Sequence, residues 1–159
     1  MATLTVSSGD YIRPRGGQGD IVHYKEGASQ TFLKGDPLIN SSVTDKEDRC
    51  IIAGSDPGAI IGFAAADASG VADTMIPVYA ADDLARFVVR VADTQAIDVD
   101  MIKAAGFGIV ADGTNLIWRL DTSETTAKIF KVRKLVDAHG DVNGRVICSV
   151  LAAERENEL

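Results

Sequence analysis

This chain of 159 residues is short of most things from which a reaction centre is assembled. It has only two histidines and two cysteines. There is no C-x-x-C pair, and His23 and His139 lie far along the chain from Cys50 and Cys148, so a zinc site is not expected. No G-x-S-x-G elbow surrounds any serine. Gly16-Gly17-Gln18-Gly19 lacks the Lys-Ser or Lys-Thr of a nucleotide-phosphate loop and reads as a flexible linker. The acidic spots Asp82-Asp83, Asp98-Val99-Asp100 and Asp45-Lys46-Glu47-Asp48 match no calcium loop. No metal, no cofactor and no enzymatic activity are therefore expected. Basic charge is also scarce: 16 Lys and Arg against 23 Asp and Glu, a formal charge of -7. That balance argues against a dedicated nucleic-acid binder. No apolar run is long enough for a bilayer, and no basic-then-apolar segment opens the chain, so no membrane partner is expected. Aromatic residues make up only 6%, which leaves aliphatic side chains to fill most of a core.

What the chain does have is a hydrophobic fraction of 46%, delivered in short bursts. Cys50-Ile51-Ile52, Ile60 to Phe63, Met75 to Tyr79, Phe87 to Val91, Phe107 to Val110, Leu116 to Leu120, Ile129 to Val136 and Arg145 to Leu151 are rich in Val and Ile. Each is bounded by Gly, Asp, Asn or Pro, which is the pattern of strands between turns. Lys34-Gly35-Asp36-Pro37 is a turn signal into Leu38-Ile39, and Asp112-Gly113 predicts a hairpin turn. Pro77 predicts an edge strand or the first residue of a pairing segment. One helix of about two turns is expected over 98–106, capped by Asp98 and closed by Gly106. Cys50 and Cys148 sit inside apolar bursts and read as buried thiols, with a disulfide between paired strands left open. Trp118 reads as core. The expectation is an all-β domain, a mainly antiparallel small barrel or sandwich, with one short helix and an extended N-terminal arm.

The division of the chain follows composition. Residues 1–31 are Gly-rich and loop-like, and are expected to form an extended arm. Residues 32–153 form the β-rich domain, and 154–159 an acidic tail. The arm carries an Arg13-Pro14-Arg15 cluster and a few large side chains. Tyr11, Ile12, Arg13, Arg15, His23 and Tyr24 are the residues expected to anchor it on a partner protein. Removing residues 1–29 is expected to spare the fold.

From about Phe32 to Leu151 the order of segments resembles the small decoration, or cement, proteins of tailed-bacteriophage capsids. The likeness runs through Lys34-Gly35-Asp36-Pro37-Leu38, Ile60 to Gly70, Ile76-Pro77-Val78, Asp100 to Ile109, Asp121-Thr122-Ser123, Thr125 to Ile129 and Asp141-Val142-Asn143-Gly144-Arg145-Val146. The resemblance implies a structural virion protein on the outer capsid surface, commonly a homotrimer, that stabilises the shell by bridging neighbouring major capsid proteins. It implies no catalytic residues. The alternative is a β-barrel or sandwich adsorption module for host-surface carbohydrate, which would need exposed aromatic rings.

Overall fold

A computed structural model describes residues 11–17, 19–42, 48–82, 84–112 and 117–151. The fold is all-β. The described strands are β1 (Arg13–Pro14), β2 (Ile21–Glu26), β3 (Pro37–Asn40), β4 (Arg49–Ile52), β5 (Gly62–Ala64), β6 (Met75–Ala80), β7 (Phe87–Arg90), β8 (Gly108–Asp112), β9 (Ile117–Asp121), β10 (Phe130–Leu135) and β11 (Arg145–Val150). Strands β2-β4-β3-β5-β6 close into a small barrel, β1-β7-β11-β10 form a four-stranded sheet, and β8-β9 pair as a two-stranded ribbon. Every pairing between named strands is antiparallel except β2 with β4.

Two hydrophobic cores follow from strand alternation. Inside the barrel lie Phe32, Leu38, Cys50, Ile61, Ile76 and Val78. Between the barrel and the four-stranded sheet lies a larger cluster that includes Ile12, Phe87, Val89, Phe130, Val146 and Cys148. Strand β5 serves both. Ala64 belongs to the barrel interior, while its neighbour Phe63 points the other way into the larger core. There its ring stacks on Phe130 at 5.6 Å and meets the Phe87 ring edge-on at 4.8 Å. Gly62 lets β5 approach β6 closely: a Cβ at this position would lie 2.1 Å from the Tyr79 carbonyl oxygen.

Three expectations are corrected. Residues 13–14 and 21–26, read as part of an arm, are strands of the domain. β2 runs beside β6 from Ile21↔Tyr79 to Lys25↔Met75 and closes the barrel against β4. Removing residues 1–29 would therefore take away β1 and β2 and open the barrel between β4 and β6. Pro77 lies in β6, a strand flanked by β2 and β5, so the edge-strand alternative is corrected; Pro77 pairs with His23 on one side and stands just before the start of the β5 ladder at Val78 on the other. Its carbonyl accepts from Ala65 N at 2.9 Å, so its nitrogen faces the point just past Ala64 where β5 has ended. The missing N–H costs no ladder bond there. The helix over 98–106 shrinks to a single 3-10 turn at Val99–Ile102. Asp98 caps it as expected, accepting from Asp100 N at 2.8 Å. The chain then leaves the turn because Phe107 is drawn into a bridge with Phe130. The predicted turn at Asp112-Gly113 falls partly outside the described residues, but the β8 and β9 strands it would join pair in register from Gly108↔Asp121 to Asp112↔Ile117.

The Gly35-Asp36-Pro37 turn makes a testable pH dependence. Asp36 Oδ2 accepts from Leu33 N at 2.9 Å, and the Asp36 backbone bonds both Leu33 O and Ala64 N. Burial pushes its carboxyl up to about 6, with the negative charge of Asp67 adding to the effect. The folded protein thus holds this proton at pH values where the unfolded chain has released it. The stability this carboxyl contributes is complete below about pH 4 and is lost as pH rises through about 6. Asp36→Asn keeps the acceptor for Leu33 N but cannot ionise. Its urea midpoint should gain on that of the wild type as pH rises from about 4 to about 7. A difference between the two that stays constant over that range would contradict the assignment.

Candidate interaction surface

The residues expected to anchor a partner are dispersed by the fold. Ile12 is buried in the core between barrel and sheet. Tyr24 is half-buried and packs against the barrel interior. Both serve the protein's own packing. Tyr11 is half-buried, with Lys34 Nζ 5.3 Å from the centre of its ring. His23 is exposed on the outside of the barrel, opposite Pro77. Arg13 and Arg15 lie together near the edge of the four-stranded sheet, on either side of buried Pro14.

Arg13 leads to a surface that the sequence reading did not single out. Pro14 pairs with Phe87 and faces the core, so Arg13, opposite Val88, faces outward. The register continues across the sheet through Val88↔Ile147 and Ile147↔Lys134, giving a row Arg13, Val88, Ile147, Lys134. Beside it Arg90 and Arg145 stand directly opposite one another. A β-bulge between Val132 and Lys134 breaks the alternation in β10. As a result Arg133 and Lys134 share the outer face: Arg133 Nε donates to Ser149 Oγ at 2.8 Å, and Lys134 sits opposite Ile147. Lys131 turns to the sheet edge, where Nζ donates to the carbonyls of Ile102 and Ala104. These four strands hold six of the chain's cations and not one Asp or Glu.

The neighbouring charges are arranged to keep this face in place. Asp137, just past β10, takes a forked contact from Arg145, with Nε at 2.9 Å and Nη2 at 2.7 Å. Those hydrogen bonds hold the Asp137 carboxyl below its ordinary range, against the opposing effect of burial. Arg90 donates to the Asn143 carbonyl at 2.8 Å. Asn143 has a positive φ of 58°, a left-handed turn that swings the chain into β11. The barrel differs in kind. Its Lys25 and Arg49 pair with Asp48 and Asp73 at 2.7 and 2.8 Å.

No protein-family model matches this chain, and no curated protein sequence matches it. The reading of its surface therefore rests on its own residues.

A groove of about 450 Å³ opens at the same end of the sheet, lined by Pro14, Arg15, Asp20, Tyr79, Leu84 and Arg86 among others. Leu84 is 86% exposed at its rim. Arg15 N donates to the Arg86 carbonyl at 2.8 Å, tying β1's exit to the approach to β7. Asp82 organises the wall by accepting from the backbone of Leu84 and Ala85. The groove mixes both signs of charge and lacks a convergent set of polar groups for chemistry. His139 lies on an exposed turn, and among the described residues no three His, Cys, Asp or Glu side chains gather in a metal-binding group. Cys50 and Cys148 are buried free thiols. Burial pushes Cys50 up to about 11, with the charge of Glu26 contributing, and drives Cys148 upward as well.

The alternating pattern of cations was visible in the sequence as Phe-Val-Val-Arg, Phe-Lys-Val-Arg-Lys-Leu and Arg-Val-Ile-Cys-Ser-Val. What was not visible was that these three strands are neighbours, or that a bulge puts Arg133 and Lys134 side by side.

Proposed function

We propose that this protein is a structural virion component that binds the outside of a phage capsid and stabilises it by bridging neighbouring major capsid proteins. The observation that carries this reading is the ordered resemblance to capsid decoration proteins between Lys34 and Val146. Its motif residues fall on the positions that build the scaffold. Gly35-Asp36-Pro37 forms the entry to β3, Gly62 to Ala64 forms the strand shared by both cores, and Asn143-Gly144-Arg145 forms the entry to β11. A chain that keeps that order has reason to keep that scaffold.

The physical mechanism is linkage. A protein that contacts two adjacent shell subunits binds only the assembled lattice, which alone presents both halves of the site, and so stabilises that state. A homotrimer would repeat the contact three times and gain through effective concentration. The carbohydrate-binding alternative has less support. Such modules present open aromatic faces, whereas here Trp118 is buried, the phenylalanines are buried, and Tyr11, Tyr24 and Tyr79 are half-buried.

The test is co-sedimentation of the purified protein with expanded, undecorated capsids, followed by heating of the particles. The expected result is binding at about micromolar concentration and a higher temperature of DNA release. Absence of binding at that concentration would remove the reading.

A further inference from the structure

We propose that the outer face of the four-stranded sheet is a docking surface for an acidic protein surface. The inference rests on the capsid reading only for the identity of that partner.

On the outer face of this sheet Arg133 and Lys134 are exposed, Arg13, Arg90 and Arg145 are half-buried, and Ile147 and Ser149 are buried. A solvent-facing sheet normally interleaves charges of both signs, because like charges directly opposite one another across strands are destabilising. This face does the opposite. Arg90 and Arg145 are cross-strand partners, and Arg13, Arg133 and Lys134 extend the same sign to both edges of the sheet. The row from Arg13 to Lys134 crosses three strand spacings, about 14 Å. Asp137 at one corner offsets part of the charge of Arg145 and Arg90, while the face carries five cations from its four strands. The whole chain is acidic, at -7, so these cations are segregated by position and do not reflect bulk composition.

The chemistry of the face selects its partner. Four of its five cations are arginines, whose planar fork matches a carboxylate pair better than a point ammonium does. A carboxylate-rich patch on a protein complements the face, and the attraction between them is screened beyond about 8 Å at physiological salt. A nucleic acid is disfavoured, because its charge continues along the duplex and the chain as a whole carries -7. The face is small, so each contact is weak and governs orientation and encounter more than tight affinity. That suits a component held by several such contacts at once.

The experiment uses three probes: poly-L-glutamate, a duplex DNA oligonucleotide and expanded undecorated capsids. The variant is Arg13→Glu with Lys134→Glu, which reverses both ends of the row. Wild type should bind poly-L-glutamate at about 50 mM salt and release it by about 300 mM. The double variant should bind it about tenfold more weakly or worse. Should the reversed side chains disturb folding, Arg13→Gln with Lys134→Gln removes the charge alone and should show an intermediate loss at an unchanged unfolding midpoint. Failure of the wild type to bind poly-L-glutamate, equal binding by both proteins, or tighter binding of the DNA duplex each overturns the assignment. The capsid arm separates the two ideas. Equal capsid binding by wild type and variant sinks this face and leaves the decoration reading intact. A wild type that ignores capsids yet binds poly-L-glutamate through Arg13 and Lys134 sinks the decoration reading and leaves the face.

Discussion

Replacement of Phe63 by Ala is expected to cost about 3–5 kcal/mol, the range for deleting a fully buried aromatic ring. Typical domains have about 5–15 kcal/mol of stability in total, so this single change removes a large share. The magnitude follows from position. Phe63 is carried by a three-residue barrel strand, yet it packs outside the barrel, against Phe87 of β7 and Phe130 of β10. It is thus the fully buried ring through which the barrel meets the sheet, with Ile39 and Tyr79 packing against the same core. The neighbouring backbone has little room to collapse into the cavity, because β5 already lies against the Tyr79 carbonyl at Gly62. The loss should also change the character of unfolding. Barrel and sheet are separate hydrogen-bonded units, and weakening their shared core should split one cooperative transition into two. Urea unfolding followed by Trp118 fluorescence, which reports the sheet-side core, and by far-ultraviolet circular dichroism tests this. Coincident transitions with a loss under about 1 kcal/mol would show that Phe63 is not the junction. Phe63→Leu, which conserves most of the volume, should cost less than about 1.5 kcal/mol and keep the transitions together.

The same junction shows which parts of the fold were legible in the sequence. Strands such as Phe87–Arg90 and Arg145–Val150 announce themselves because Val and Ile cluster between turn residues. The antiparallel all-β class follows from those bursts. The segment Ile-Val-His-Tyr-Lys-Glu of β2 does not announce itself, because it sets two apolar residues side by side and then three polar or charged ones among its last four. Its place in the barrel is imposed by β6, more than fifty residues later, and by β4. The 3-10 turn tells a similar story. Local signals for capping at Asp98 were right, but a bridge to Phe130 overruled continuation of the helix. Of the residues expected to form an interaction site, Arg13 lies on the basic face and Arg15 at the adjoining groove, while Ile12 and Tyr24 turned inward. A sequence shows which residues are cationic. Only strand order and the Arg133 bulge show which of them share a face.

Glu26 gives the second large effect, and nothing in its sequence context signals it. The residue ends β2, beside Gly27-Ala28-Ser29, where a solvated carboxylate would be the natural reading. It is instead fully buried. Its carboxylate reaches across to the β5–β6 connection, where Oε2 accepts from Ser69 N at 2.9 Å and from Ser69 Oγ at 2.6 Å, and Oε1 accepts from Gly70 N at 2.7 Å. Its backbone bonds the same loop, donating to Thr74 O and accepting from Asp73 N. One residue therefore fastens a loop of about ten residues to the barrel wall. Glu26→Ala strips the partners from two amides and a hydroxyl at once and leaves a cavity. A buried group left without its bond costs about 1–3 kcal/mol, so the expected loss is about 3 kcal/mol or more. Glu26→Gln keeps the shape but turns one acceptor into a donor that faces the Ser69 or Gly70 N–H, so it should recover only part of that loss. Hydrogen exchange supplies the local readout. In Glu26→Gln the amides of Ser69 and Gly70 should lose protection before those of β10 and β11 do, because the loop opens while the sheet stays closed. If both amides keep wild-type protection while global stability falls, the carboxylate acts through packing in the barrel and not as the clasp of the loop.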